Sequence, residues 1–340
     1  MSNEIILDVK NLSTVITTDR VPVRIVKDVS FQLRRGRTLA IVGESGCGKS
    51  VTMQSVVKLV SRNYHITADH VLYTSYRGGA PKEYRLDRLA PYGRVMRSLR
   101  GPEISMVFQD PMMSLNPVYR IGDQVIEGLM QHNPGMKRRE AWARALEMLK
   151  KLGIPAAEQR INEYPHQMSG GMKQRIVIAI AMICDPQIII ADEPTTALDV
   201  TIQSQIMELM KQLQVEDHKS IILITHNMGL VAEMADDVAV MYMGRIVEAG
   251  PIQAIFENPL HPYTQGLLKS VPVLGMDRDR PLVAIPGNTP NPADLREGCE
   301  FAGRCPRCAP ECLLGAVPSV EAEPGHQVRC LRCAPQGEVN

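Results

Sequence analysis

The order of apolar and polar residues predicts a chain that begins with strands and then alternates strands with helices. Polar and apolar residues alternate at 5–9 and again at 29–33, which predicts two strands that each bury one face. Later stretches are almost continuously apolar, as expected of strands buried on both faces, and they cover residues 39–42, 104–108, 188–191 and 221–224. Because helical patterns separate these stretches, we predict an α/β fold with a parallel sheet.

The segments between these strands differ in character. Residues 65–100 are charged and scattered with tyrosines, and we interpret them as an irregular, solvated hairpin and loop. From about residue 110 to 165 the pattern turns helical, with one helix stopping at Gly153. Apolar strands on both sides of Gly244 predict a hairpin there.

The composition is that of an ordinary globular protein, with 340 residues, 44% hydrophobic residues and a net charge of +1. A nearly neutral chain has no overall field that would favour nucleic acid or an anionic membrane. Its longest apolar run, at 176–184, is far shorter than the ~20 residues that a membrane-spanning helix requires. No basic and then apolar segment opens the chain, so we expect a cytosolic protein that reaches a membrane only through a partner.

A change in composition near residues 250–255 predicts a boundary. Prolines become frequent there, periodicity fades, and six of the eight cysteines lie between Cys299 and Cys333. We therefore divide the chain into a domain of residues 1–250 and a small extension, rich in cysteine and proline, of residues 251–340. In a reducing compartment such a cysteine cluster favours a metal site over disulfides.

The strongest chemical signal is a glycine-rich loop between the first buried strand and a helical pattern. It matches the phosphate-binding pattern G-x-x-x-x-G-K-S/T, in which backbone N–H groups and the helix N-terminus bind phosphates. The lysine of this pattern reaches the β- and γ-phosphates, and the final hydroxyl binds Mg²⁺. The predicted nucleotide-binding residues here are Gly43, Glu44, Ser45, Gly46, Cys47, Gly48, Lys49, Ser50 and Val51.

Polar residues that suit phosphate chemistry follow two other buried strands. One strand ends in Asp192 and Glu193, which are suited to holding Mg²⁺ and to accepting a proton from water. His226 follows the next strand, where an α/β sheet places residues that face a ligand. In addition, Ser169 is a plausible N-cap ahead of two glycines and an apolar helix, so that backbone there can approach an anion.

Together these motifs resemble the ATP-binding subunits of ABC transporters, over about residues 5–250. The motifs occur in the family's order and are the Walker A loop 43–50, the Q-loop Gln109, the signature-like residues 168–172, the Walker B residues 188–193, the D-loop 197–199 and the switch His226. The resemblance implies a P-loop NTPase with a RecA-like parallel sheet, an N-terminal antiparallel β subdomain and a helical subdomain at about 110–168.

The resemblance also assigns roles to these residues. Two ATPase subunits are expected to pair head to tail, so that the signature motif of one faces the Walker A loop of the other. The residues predicted to contribute to this second half of the nucleotide site are Ser169, Gly170, Gly171 and Asp199.

In this family the reaction is in-line attack of water on the γ-phosphate of ATP. By resemblance, Glu193 accepts the proton of the water, Lys49 and Mg²⁺ stabilise charge, and Gln109 and His226 sense the γ-phosphate. The predicted catalytic residues are therefore Lys49, Gln109, Glu193 and His226. The predicted Mg²⁺ ligands are Ser50, Gln109 and Asp192.

Two details depart from the family pattern. The signature usually reads Leu-Ser-Gly-Gly-Gln, whereas here Met168 and Met172 flank the serine and glycines. The family also stacks an aromatic ring on adenine, but no Phe, Tyr or Trp lies between residues 6 and 30. We predict that the guanidinium of Arg20 or Arg24 stacks on the base instead.

Longer matches resemble the dipeptide, oligopeptide and nickel importer branch of the family. They lie at 108–117, at 193–201, in the His-Pro-Tyr-Thr of residues 261–264 and in the cysteine tail. The resemblance implies an ATP-hydrolysing subunit that drives uptake of dipeptides and oligopeptides, with nickel or another small solute as the alternative cargo. A soluble ABC ATPase acting on DNA or ribosomes is disfavoured, because the chain has neither a long coiled-coil insertion nor a second phosphate loop.

The same branch implies a set of partners. They are a second, paralogous ATPase subunit, two transmembrane permease subunits and an external substrate-binding protein, with no nucleic acid. We therefore expect a peripheral protein on the cytoplasmic side of the inner membrane. A regulatory subunit with an inactive site is disfavoured, because Glu193 and His226 are intact.

The cysteine tail is compatible with either of two alternative metal sites. Spacing alone favours zinc on two C-x-x-C pairs, which are Cys305, Cys308, Cys330 and Cys333. The family resemblance instead implies a 4Fe–4S cluster on Cys299, Cys305, Cys312 and Cys330. We predict the iron–sulfur cluster, with zinc and then free thiols as the alternatives.

Overall fold

The computed structural model describes residues 4–17, 22–196, 198–271, 284–292 and 297–333, which form an antiparallel sheet, a mixed sheet and the helices around them. The strands are β1 (Ile5–Ile16), β2 (Val23–Arg34), β3 (Thr38–Val42), β4 (Tyr64–Thr67), β5 (His70–Ser75), β6 (Lys82–Arg85), β7 (Ile104–Val107), β8 (Ile188–Asp192), β9 (Ser220–Thr225), β10 (Asp237–Tyr242), β11 (Arg245–Pro251), β12 (Val320–Glu323) and β13 (His326–Val328). The helices are α1 (Lys49–Val56), α2 (Arg94–Leu99), α3 (Pro111–Ser114), α4 (Ile121–His132), α5 (Arg138–Lys151), α6 (Ala157–Arg160), α7 (Gly170–Met182), α8 (Val200–Val215), α9 (Met228–Met234), α10 (Ile252–Glu257) and α11 (Pro262–Lys269).

The N-terminal sheet is antiparallel, with the strand order β2–β1–β5–β6 and with β4 paired to the far end of β1. Val9 lies opposite Phe31, so the alternating residues of the two long strands form one buried face, as predicted. The interpretation of residues 65–100 as an irregular, solvated hairpin and loop is wrong in part: β5 and β6 do pair as an antiparallel hairpin, but with β4 they complete this sheet. Tyr73 of this segment is fully buried, and its hydroxyl donates to Glu103.

The second sheet contains the continuously apolar strands, in the order β12–β13–β11–β10–β3–β9–β8–β7. The neighbours from β10 to β7 run parallel to one another, and every residue of β3, β8 and β9 is buried. Parallel strands place their carboxyl ends at one edge of a sheet. The residues that follow β3, β7, β8 and β9 therefore lie at the same edge, where the predicted site residues occur.

A helical region packs against one face of this sheet. The buried faces of α4, α5 and α7 share a single apolar core with residues of β8 and β9. Gly122 allows α4 to approach α5 closely, since a Cβ there would lie 2.3 Å from the Trp142 ring. The helices α3 to α6 occupy the segment predicted as the helical subdomain, although its bounds at 110–168 stay a prediction.

The C-terminal extension is built onto the same sheet. Strand β13 pairs with β11, and β12 pairs with β13, so the extension adds two strands at the β11 side of the sheet. Buried Glu248 of β11 accepts hydrogen bonds from the backbone N–H groups of Leu260 and His261 and contacts His326. The division of the chain at residue 250 stays a prediction. Among the described residues, none of the helices combines the length and apolar character needed to cross a bilayer.

Candidate nucleotide-binding site

The glycine-rich loop 43–50 connects β3 to α1 at the carboxyl edge of the parallel strands. Its path requires glycine at two positions. A Cβ on Gly43 would lie 2.1 Å from the carbonyl oxygen of Met241, and Gly48 has a φ of +103° at the N-terminus of α1. A Cβ at Gly46 would meet no atom within 4 Å, so this part of the loop is open. The loop thus packs against β10 on one side and is free to receive a ligand on the other.

Lys49 lies inside the loop. Its ammonium donates to the carbonyl oxygens of Gly43 at 2.7 Å and Glu44 at 2.9 Å, and the residue is only 5% exposed. A buried ammonium surrounded by loop backbone is placed to meet phosphate oxygens, and it fits the role predicted for the lysine of this motif.

Other members of the motif face different surroundings. Cys47 is buried, and burial raises the pKa of its thiol. Val51 packs against the apolar core between the two sheets. Ser45 lines a cavity together with Glu193 and His226.

The Ser50 hydroxyl donates a 2.8 Å hydrogen bond to Asp192, which joins the loop to the end of β8. Both residues line a cavity of about 580 Å³ that Gln109 also borders. Burial raises the pKa of Asp192, and the neighbouring Glu193 charge raises it further. A buried carboxylate beside a hydroxyl in an open cavity fits a Mg²⁺ site, since the ion prefers oxygen ligands and retains phosphate and water in its shell.

Glu193 accepts hydrogen bonds from three side chains. Gln109 and Thr196 each lie 2.9 Å from Oε2, and His226 Nδ1 lies 3.2 Å from Oε1. The backbone of Glu193 has a φ of +46°, a left-handed conformation that residues other than glycine rarely adopt. A bond from its N–H to the Ile224 carbonyl oxygen, 2.9 Å long, holds this conformation. Such strain concentrates at functional sites.

The environment of Glu193 favours its ionised form. Burial on its own would raise the pKa of this carboxyl. Hydrogen bonds from His226 and Thr196, with the charge of Lys49, outweigh burial and hold the pKa below its ordinary value. Glu193 is therefore an ionised acceptor at neutral pH.

Ser169 of the signature and Asp199 of the D-loop lie at the N-termini of two helices, whereas Ala197 of the D-loop lies outside the described residues. Ser169 caps α7 as predicted, with its Oγ accepting the Met172 N–H at 3.4 Å. Asp199 caps α8, accepting the Ile202 N–H at 2.9 Å. Ser169 and Gly170 are exposed, whereas a Cβ on Gly171 would lie 2.7 Å from the Ile202 side chain. Their contact with a second subunit stays a prediction.

The C-terminal extension reaches the loop through Glu44, and this contact was not predicted. Arg304 donates to both carboxylate oxygens of Glu44, at 2.6 and 2.9 Å. The Tyr263 hydroxyl accepts the Glu44 N–H at 2.8 Å, and Thr289 donates to the carboxylate at 3.2 Å. Tyr263 and Arg304 lie in stretches that served above only as family signatures. No spacing rule connects them to a loop 219 and 260 residues earlier.

The cysteines do not form a metal site in the structure. All eight have free thiols, and in the described ranges no three His, Cys, Asp or Glu side chains converge to hold an ion. The predicted iron–sulfur ligands do share one region. Besides burial, the Cys330 charge raises the pKa of both Cys299 and Cys305. The geometry supports neither the iron–sulfur cluster nor zinc.

One of the two arginines predicted to stack on adenine has its guanidinium bonded to neighbouring side chains. Arg24 forms an ion pair with Asp28 and donates to Ser13 at 2.7 Å. Arg20 lies outside the described residues. Stacking of either guanidinium on adenine stays a prediction.

Comparison with known families supports this site. The ABC transporter family matches residues 26–196, a segment that contains both the glycine-rich loop and the Asp192–Glu193 pair. The chain belongs to the ABC transporter family. A second family, described as the C-terminal region of oligopeptide and dipeptide transporters, matches residues 247–312. The chain is therefore an ABC-type ATPase, and its residues 247–312 resemble the C-terminal region of such transporters.

Full-length relatives of this ABC protein carry related descriptions. A putative peptide import ATP-binding protein of Brucella melitensis is 47% identical over 98% of each chain. The dipeptide transport ATP-binding protein DppD of Lactococcus lactis is 50% identical over 89% of this chain and 84% of its own. The oligopeptide transport ATP-binding protein AppD of Bacillus subtilis is 45% identical over 98% of each chain.

Solved ABC structures share the fold. The dimeric ATP-binding cassette MJ0796, bound to ADP and Pi, matches with a TM-score of 0.61 at 26% identity, over 72% of this chain and 98% of its own. The cbiO1 protein of Clostridium perfringens, part of the cbiONQ transporter complex, matches with a TM-score of 0.57 at 27% identity, over 75% of this chain and 92% of its own. The predicted P-loop NTPase fold of the ABC type is thereby confirmed.

Proposed function

We propose that this chain is the ATP-hydrolysing subunit of a membrane importer for dipeptides and oligopeptides. The names of its full-length relatives support the substrate class, as does the transporter region matched at 247–312. The single observation that carries hydrolysis is Glu193, an ionised carboxylate that three side chains hold beside the open phosphate loop.

The loop and its lysine bind the triphosphate in this proposal. Backbone N–H groups of the loop and the Lys49 ammonium contact the β- and γ-phosphates. Ser50, Asp192 and Gln109 would hold Mg²⁺, which when bound would supply Lewis-acid stabilisation of charge on the phosphate oxygens. The other predicted nucleotide-binding residues of the glycine-rich loop hold its backbone in position.

Glu193 acts as the general base. Water attacks the γ-phosphorus in line with the bond to the β-phosphate oxygen, and that bond breaks to release ADP. Glu193 accepts the proton of the attacking water, and phosphate leaves. Gln109 and His226, which contact opposite oxygens of this carboxylate, orient it and sense whether the γ-phosphate is present.

A second ATPase subunit completes the site. Ser169, Gly170, Gly171 and Asp199 would face the nucleotide held by the partner, which is consistent with the exposure of Ser169 and Gly170 at the α7 N-terminus. We propose a paralogous chain as this partner. The named MJ0796 relative is dimeric in its solved structure, which supports pairing of such cassettes.

The permease subunits would dock beside Gln109. Apolar side chains are unusually exposed on the segment after β7, where Phe108 is 42% exposed, Met113 86% and Val118 73%. Because exposed apolar clusters mark interaction surfaces, this segment suits contact with transmembrane subunits on the cytoplasmic face of the membrane. An external binding protein would deliver the cargo.

The substrate class can be tested with the whole importer in lipid vesicles, with its binding protein supplied. We expect dipeptides and oligopeptides to stimulate ATP hydrolysis and to accumulate inside. Stimulation by nickel chelates alone would replace peptides with nickel as the cargo. If the complete importer hydrolyses no ATP with any cargo, the proposed activity is wrong.

The iron–sulfur cluster on Cys299, Cys305, Cys312 and Cys330 stays a prediction. The 2.8 Å hydrogen bond from the Cys299 N–H to the Cys312 carbonyl oxygen brings two of these cysteines together, whereas no three of the candidate side chains converge in the described ranges. Iron and sulfide content near four atoms each, with visible absorption in anaerobically purified protein, is the expected result for such a cluster. Zinc without iron would contradict it.

A further inference from the structure

The link between the C-terminal extension and the phosphate loop has no role in the function proposed above. It is a bidentate pair between Arg304 and Glu44, whose side chains are only 7% and 26% exposed. Two parallel charge-assisted bonds of this kind fix both orientation and distance. The pair therefore fixes the position of the Glu44 side chain relative to Arg304.

Groups of the extension and of β10 together hold Arg304. Its Nε donates to the Pro286 carbonyl oxygen at 2.9 Å, and its guanidinium lies 5.8 Å from the Tyr242 ring centre and 5.9 Å from that of Phe301. Phe301 is buried, as is Tyr242. A guanidinium fixed by a carbonyl and two rings loses little further freedom when it binds a carboxylate.

Glu44 contacts both the extension and the phosphate-binding lysine, Lys49. The Glu44 N–H donates to the buried Tyr263 hydroxyl of α11, so the extension holds the backbone as well as the side chain. The Glu44 carbonyl oxygen in turn accepts a 2.9 Å bond from Lys49. A shift of Glu44 would therefore move the ammonium that meets the phosphates.

The extension also forms part of the cavity wall. Asn288 and Thr289 line a cavity of about 560 Å³ together with Ser45, Glu193 and His226. Thr289 contacts the same Glu44 carboxylate as Arg304. Two separate segments of the extension thus meet at one loop residue.

We propose that Arg304 is a positioning residue for ATP binding, which acts through Glu44 to hold the phosphate loop in its binding shape. The extension and the nucleotide site are then energetically coupled. The inference rests on the proposed function, because the ligand is ATP. Coupling is reciprocal, so ATP must stabilise the Arg304 region as much as Arg304 strengthens ATP binding.

Affinity for ATP tests this coupling without turnover. The full-length Glu193→Gln protein is titrated with a fluorescent ATP analogue and Mg²⁺, alone and with a second substitution. We expect Arg304→Met to raise Kd about tenfold, within the usual range for coupled sites, and Arg304→Lys to raise it less. Glu44→Gln should act like Arg304→Met, and the pair combined should be no worse than either alone, because they share one interaction.

A matched control lies elsewhere in the extension. Glu311 pairs with Arg332 at 3.1 Å, and both side chains are about half exposed. Glu311→Gln removes one carboxylate charge from this pair, as Glu44→Gln does from its own, and should leave Kd unchanged. Melting temperatures establish that each variant is folded. If Arg304→Met does not fold, Glu44→Gln and Arg304→Lys decide the same question.

Amide hydrogen exchange provides a second readout. ATP should slow exchange in residues 298–305 of the Glu193→Gln protein, and this protection should be lost with Arg304→Lys. Folded Arg304 and Glu44 variants with unchanged Kd and unchanged protection would overturn the coupling. If the Glu193→Gln protein itself binds no ATP, the proposed function fails instead, so the two failures are distinguishable.

Discussion

His226 Nδ1 lies 3.2 Å from Oε1 of Glu193. This contact joins the end of β9 to the end of β8, beside the phosphate loop. The other carboxylate oxygen is held by Gln109 and Thr196. Both oxygens of the proposed base are therefore oriented by neighbours from different strands. The effect of the orientation of the Glu193 carboxylate on hydrolysis can be measured separately from the effect of its charge, because each neighbour can be changed without removing the carboxylate.

The base itself is tested by Glu193→Gln. The amide keeps the shape but cannot accept the proton, so we expect ATP binding to persist while kcat falls roughly 10²- to 10⁴-fold. Glu208→Gln on the exposed face of α8 is the control and should keep wild-type turnover. Full-rate hydrolysis by the Glu193 variant would remove the assignment of the base.

The phosphate-binding role of Lys49 is tested by Lys49→Ala. Loss of the buried ammonium should weaken ATP binding at least tenfold, because a charge-assisted bond to phosphate contributes about 1.5–3 kcal/mol. Equilibrium titration with an ATP analogue measures this. Lys211→Ala, at an exposed position of α8, should bind normally. An unchanged affinity in the Lys49 variant would argue against the loop as the site.

The packing of the loop against β10 is tested by Gly43→Ala. The new Cβ would lie 2.1 Å from a backbone oxygen of Met241, so the loop or the strand must move. We expect destabilisation of about 1–3 kcal/mol with weaker ATP binding, measured by denaturant unfolding and titration. Gly135→Ala meets no atom within 4 Å and should change neither quantity appreciably. Equal behaviour of the two variants would show that the contact is not restrictive.

The buried His261 predicts sensitivity to acid. Burial lowers its pKa from 6.5 to about 3 in the folded state, so the unfolded chain takes up a proton at a pH where the folded chain does not. Stability is therefore intact above pH 6.5 and is lost as the pH falls towards 3, by about 2 kcal/mol between pH 7 and pH 5.

His261→Asn tests this origin of the acid sensitivity. The amide oxygen can still accept the Tyr263 N–H that His261 Nδ1 now accepts at 3.1 Å, but the group does not titrate. The loss of unfolding free energy between pH 7 and pH 5 should be smaller by about 2 kcal/mol in the variant. Exposed His65→Asn is the control and should retain the wild-type slope. Parallel pH profiles for wild type and His261→Asn would contradict the prediction.

The core sheet and the nucleotide site were predictable because they rest on short-range patterns. Runs of buried aliphatic residues identify the parallel strands, and the residue after each strand then falls at one edge. Gln109, Asp192 and His226 meet there for that reason. The phosphate loop can be predicted from the spacing of its own residues and from the strand and helix that flank it.

Other features depend on partners far apart in the sequence. The segment 65–100 has no clear sequence pattern, because its short strands β4 and β5 pair with β1, far away in the sequence, and β6 pairs with β5. The Arg304–Glu44 pair joins residues 260 positions apart, which no local pattern records. Thr196 was missed as a partner of Glu193, since a turn threonine carries no distinctive sequence signal.

The place of β13 at the outer side of β11 bears on how the chain is synthesised. Until residues 326–328 have left the ribosome, β11 has hydrogen-bonding groups on that side with no strand to pair with. Pairing on this side of β11 can therefore begin only after residues 326–328 have been translated. A product terminated shortly before these residues would expose an open sheet edge, which favours aggregation and capture by chaperones.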